Sequence, residues 1–171
     1  MTLMKDRKYL YFAFERIWHW LQAIFIVLLA ITGFEIHASY TLFGFENAII
    51  FHNTTAILLI ILSIIALLWH FTTGLWKMYI PTNKKIKTYI LFYLKDIFQN
   101  KTSPTEKSLK DKLNPLQKIA YFLLVSFLIP LMIISGLLYL FYRYPFNGEI
   151  KNIAIQLDFI AYAHTIGAFA I

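Results

Sequence analysis

Two long stretches without a charged side chain, residues 47–76 and 119–142, limit what this chain can become. Each exceeds the roughly 20 residues that a helix needs to cross a bilayer. Neither alternates polar with apolar, and both are far longer than the roughly 10-residue strands of a membrane barrel. The crossing elements are therefore expected to be helices, which satisfy their backbone polar groups within the segment. Hydrophobic residues make up 59% of the 171, more unbroken apolar sequence than a soluble core requires.

Four spans are predicted, over about residues 17–36, 48–71, 119–142 and 153–171. The fold class expected is all-α, an integral membrane four-helix bundle forming a single domain over 1–171. The fourth span is still apolar where the sequence stops at Ile171, so it reads as cut short and the chain as a fragment. Lys5, Arg7, Lys8 and Arg16 precede or open span one, and ten lysines lie between Lys77 and Lys118. The connection between spans one and two holds only Glu35 and Glu46. By the positive-inside rule the N-terminus and the loop 77–118 are expected on the cytoplasmic side of the cell inner membrane. Trp18, Trp20, Trp69 and Trp76 agree, because all fall at the same interface. Within the loop, apolar residues recur at helical spacing over about 86–98 among lysines, which predicts a short helix lying on the membrane surface. Residues 101–114 are polar and read as a flexible link. Pro130 is placed to kink span three, and Ser135–Gly136 to allow close helix contact.

Cysteine is absent, which excludes disulfides, iron–sulfur clusters, thiolate zinc sites and covalently attached haem. The net charge of +7 would suit a nucleic-acid binder if it formed a patch, but it sits between apolar spans, so nucleic acid is not expected as a partner and lipid is.

Titratable groups inside lipid are costly, and all five histidines fall in or at the ends of spans. His19 and His70 lie at the inner ends of spans one and two, His37 and His52 at their outer ends, and His164 in the outer half of span four. His52 and His70 are 18 residues apart, as are His19 and His37. At 100° and 1.5 Å per residue, 18 residues make five full turns and about 27 Å, so each helix offers one imidazole per leaflet on a common face. Iron porphyrin held by two imidazoles is six-coordinate and suits electron transfer. His52 and His164 share the outer depth on different helices. Gly33, Gly74, Gly136 and Gly167 are placed to admit a flat macrocycle. His37 reads as a solvated residue at the water boundary, and Glu35 as exposed.

Several motifs resemble a known family. Arg16-Ile17-Trp18-His19-Trp20, Thr32-Gly33-Phe34-Glu35-Ile36-His37, Trp69-His70-Phe71-Thr72-Thr73-Gly74, Asn114-Pro115-Leu116-Gln117 and Ala163-His164-Thr165-Ile166-Gly167 look like the di-haem cytochrome b subunits of formate dehydrogenases, nickel–iron hydrogenases and thiosulfate reductases, the last most of all. The resemblance covers nearly the whole chain. It implies two haems b exchanging electrons between quinone or quinol and an iron–sulfur or multihaem redox subunit, with no bond chemistry on the final substrate. It implies an outer haem iron on His52 and His164, and an inner one on His19 with a second histidine of helix four that would lie beyond Ile171. His70, at the inner depth, is an alternative ligand. The rival readings are a haem-free transporter with relay histidines and a plain membrane anchor. Against the first, the spans lack paired carboxylates.

Overall fold

A computed structural model describes residues 11–82, 85–99, 104, 112–143 and 157–171, and among them every regular element is helical. The positions expected to form most of the polar link, the connection between spans three and four and the start of span four lie outside the described residues. Among the described residues six α-helices run in order: α1 Ala13–Ile36, α2 Phe45–Thr73, α3 Ile86–Leu94, α4 Pro115–Leu123, α5 Ile129–Arg143 and α6 Leu157–Ala170. Ala13–Ile36, Phe45–Thr73 and Pro115–Phe141, of 24, 29 and 27 residues, are long and apolar enough to cross a membrane. Leu68 and Phe127 are 60% and 66% exposed, which suits contact with acyl chains rather than water. The chain is an all-α membrane protein. The first three spans begin three or four residues ahead of the predicted bounds.

The chain divides into two compact units, one holding α1 and α2 and the other holding α3 to α6. In the first unit α1 packs along α2. The seam is made of small side chains: Thr32 from α1, and Ala48, Thr55 and Ala66 from α2, all buried. Small residues let two backbones approach closely, which is how helices adhere in lipid. The turn between them is tight. Ala38 takes a left-handed φ of 59°, Ala38 N–H donates to Glu35 O at 2.9 Å and Ser39 N–H to Phe34 O at 3.0 Å. This pair of bonds closes a helix C-terminus, usually around glycine.

Glu35 was expected to be exposed; it is 3% exposed. Its Oε1 accepts N–H bonds from Leu42, Phe43 and Gly44 at 2.7, 2.7 and 2.8 Å. The carboxylate thus fills a nest of backbone donors just ahead of α2, where the helix dipole also favours a negative charge. The other end of the pair is pinned as well. Lys112 Nζ reaches Glu15 Oε1 and Oε2 at 2.8 and 2.7 Å with both side chains buried. Phe12 N–H donates to the same carboxylate at 2.6 Å. The end of the expected flexible link is therefore fixed.

In the second unit α3 packs against α4 and α5 against α6. Asn114 and Gln117 form a reciprocal cap ahead of α4, with Asn114 Oδ1 accepting from Gln117 N at 2.8 Å and Gln117 Oε1 accepting from Asn114 N at 3.0 Å. Pro115 sits in the first turn, where a missing N–H costs nothing. Asn114 Nδ2 donates to the Tyr93 hydroxyl at 3.0 Å, tying α4 to α3. Pro130 is answered by a π-helical turn, Leu124–Leu128, in which Ile129 N–H reaches back five residues to Leu124 O. The wider turn relieves the clash between the proline ring and the carbonyl four residues earlier.

Candidate functional site

The two helix pairs place an imidazole in the same local setting. In the first unit His52 Nδ1 lies 3.0 Å from Thr32 Oγ1. Thr32 also donates along its own helix, to Leu28 O at 2.8 Å. The neighbouring Gly33 faces the ring, and a Cβ there would lie at an ordinary 3.6 Å from His52 Cε1. In the second unit His164 Nδ1 lies 2.9 Å from Ser135 Oγ, and Ser135 donates to Leu131 O at 2.6 Å. A Cβ on Gly136 would lie 3.2 Å from His164 Cε1, tighter than an ordinary contact. A hydroxyl residue followed by glycine on one helix thus meets a histidine on the next, once in each unit.

His70 also turns toward α1, as the 18-residue spacing predicts for a residue on the same face as His52. It is 7% exposed, its ring lies 5.4 Å from that of Trp18, and its Nδ1 lies 2.6 Å from Ala66 O. A carbonyl only accepts, so Nδ1 carries the proton and the ring lone pair is on Nε2. His19 is exposed on α1 with its ring beside Trp20, and His37 is an exposed C-cap residue.

The four glycines expected beside a macrocycle divide. Gly33 and Gly136 lie against the imidazoles. Gly74 instead terminates α2 with a left-handed φ of 72°. Gly167 serves helix packing, because a Cβ there would meet Met132 Sδ at 2.7 Å. Sequence reading singled out the histidines but missed the hydroxyl partners. Their only signal was the recurrence of Thr-Gly and Ser-Gly late in two apolar spans.

Comparison with known proteins places this geometry in context. A family model described as prokaryotic cytochrome b561 matches residues 10–171. The "Putative cytochrome YdhU" of Escherichia coli (strain K12) is 28% identical over 154 residues, covering 80% of this chain and 54% of that protein. The chain therefore spans about half the length of this relative. No solved structure matches.

Proposed function

The chain belongs to the prokaryotic cytochrome b561 family, and from that premise we propose that it carries electrons across the membrane between a quinone and a partner redox subunit, through haem b held by its span histidines. His52 and His164 are the proposed ligands of the outer haem. His19 is the proposed ligand of the inner haem, with His70 as the alternative, and the N-terminus is proposed to lie on the cytoplasmic side. The finer resemblance to the di-haem subunits of formate dehydrogenases, hydrogenases and thiosulfate reductases supports the quinone and partner assignments. The partner is expected to be an iron–sulfur or multihaem protein.

The observation that supports the reading most is the twice-built setting of His52 and His164, because a ligating imidazole needs its non-ligating nitrogen held by a partner. Among the described residues, no three His, Asp or Glu side chains come together to cage a bare ion. A macrocycle that brings its own four nitrogens needs only the imidazoles. Held by such imidazoles, haem b would supply a one-electron couple. The helices contribute orientation, and their apolar side chains keep water and competing ligands away.

The test is a reduced-minus-oxidised absorption spectrum of membranes carrying the full chain. A b-type α band is expected, diminished by His52→Ala and by His164→Ala alike. A band intact in both variants would remove these residues as ligands, and the lack of any band in the wild type would end the cytochrome assignment. A quinol added to the detergent-solubilised protein should reduce the haem; failure to do so would exclude the quinone step alone.

A further inference from the structure

We infer that Thr32 and Ser135 are positioning residues that lock His52 and His164 into one ring tautomer, each hydroxyl acting as a neutral acceptor behind an iron-ligating imidazole. The inference rests on the haem reading of these two histidines. It adds which groups set the ligands' protonation and the stability of the iron's two oxidation states.

A hydroxyl has one hydrogen to give. In both helices it is committed to the carbonyl four residues earlier, at 2.8 Å for Thr32 to Leu28 O and 2.6 Å for Ser135 to Leu131 O. A second backbone carbonyl lies on the same side in each case, Leu29 O and Met132 O, both at 3.3 Å. Only the oxygen lone pairs then face the imidazoles. At 3.0 and 2.9 Å, Nδ1 of His52 and of His164 must therefore carry the proton and donate it. The ring lone pair is then on Nε2, the nitrogen that a metal would take. Without the hydroxyl this acceptor is lost, and the other tautomer would turn an N–H toward the metal position.

The neighbouring glycine completes the device. Residues 33 and 136 stand one position after the hydroxyl and face the Cε1 edge of each ring; at 136 the absence of a Cβ is what lets the ring come so close, since one there would lie 3.2 Å from His164 Cε1. The same arrangement of hydroxyl, glycine and imidazole in two different helix pairs, with different hydroxyl residues, argues against an accident of packing. The acceptor's neutrality also matters. A hydrogen bond from Nδ1–H makes Nε2 a stronger donor and favours ferric over ferrous iron, less than a carboxylate would and more than no acceptor at all.

The experiment is a redox titration of the outer haem band in membranes holding the full chain. Thr32→Val and Ser135→Ala should each weaken the preference for ferric iron by about tenfold, which for one electron raises the midpoint by about 59 mV. They should also loosen haem by roughly 10–100-fold. Thr32→Ser and Ser135→Thr keep the hydroxyl and should titrate with the wild type. Midpoints and haem retention unchanged in Thr32→Val and Ser135→Ala would overturn the inference. Should those variants fail to fold, nitrogen-15 NMR of the wild-type full chain, depleted of haem and labelled at histidine, decides the matter. Protons on Nδ1 of both rings support the lock, and protons on Nε2 overturn it. If wild-type membranes lack haem altogether, the electron-transfer reading fails, while the NMR result still judges the tautomers.

Discussion

Replacing Lys112 by methionine keeps all but the last atom of the side chain's length and removes its charge, and the burial of its ion pair sets the cost. Lys112 is 2% exposed and Glu15 7%, and the ammonium is within 2.8 Å of both carboxylate oxygens. Its departure leaves a buried carboxylate with the Phe12 N–H as the one donor seen among the described residues. Breaking a buried pair from one side costs about 3–5 kcal/mol. The thioether sulfur would lie two bonds short of Nζ, which stands 5.0 Å from the rings of Tyr11 and Phe12, and sulfur–aromatic contact returns at most about 1 kcal/mol. The net loss is about 2–4 kcal/mol, which at roughly 2–4 °C per kcal/mol for a chain of this size lowers the melting temperature by about 5–15 °C. Thermal unfolding in detergent, followed by circular dichroism, reads this directly. Adding Glu15→Gln to Lys112→Met should recover most of the loss, since the amide oxygen still accepts the Phe12 N–H and no charge remains buried. A single variant melting within about 1 °C of the wild type, or a double variant no better than the single, would show that the pair is well solvated and contributes little.

The glycines beside the two imidazoles should respond differently to alanine. Gly33→Ala meets His52 at an ordinary 3.6 Å and gains about 0.5–1 kcal/mol of helix preference, so melting temperature and haem spectrum should hold or improve. Gly136→Ala meets His164 at 3.2 Å and must push the ring aside, so outer-haem content should fall; equal spectra for the two variants would contradict the geometry. Glu35→Ala strips the acceptor from three N–H groups. Bonds to a charged acceptor are worth about 1.5–3 kcal/mol each, so it should cost about 3 kcal/mol or more in denaturant unfolding, with Glu35→Gln losing less than half of that. Identical losses would show that the carboxylate does not hold the turn.

Much of the fold was legible because lipid leaves few choices. Uncharged runs longer than a bilayer is thick had to be helices, and an 18-residue interval had to put His52 and His70 on one face, where both meet α1. What escaped the sequence depended on distance or on chemistry that looks alike everywhere. Lys112 is 97 residues from Glu15 and is one of ten lysines in its loop, with nothing local to mark it. Thr32 and Ser135 return a hydrogen bond to their own helix as any hydroxyl in an apolar helix does; only the partner helix reveals the second bond. Glu35 stands at an interface where carboxylates are usually wet, and its burial comes from the way residues 38–44 fold back over it. Gly74 was read as making room for a ligand, whereas its left-handed backbone ends a helix, a role that spacing alone does not distinguish.

The wide turn at Leu124–Leu128 has a geometric effect beyond accommodating proline. A π turn holds one more residue than an α turn, so everything after it is rotated by about 100° relative to an unbroken helix. The half before the turn leans on α3 and the half after it on α6. A single membrane-crossing rod can in this way address two neighbours from different sides. Periodicity counted through the turn would assign Ser135 to the wrong side, and the one surplus residue is what aims its hydroxyl at His164.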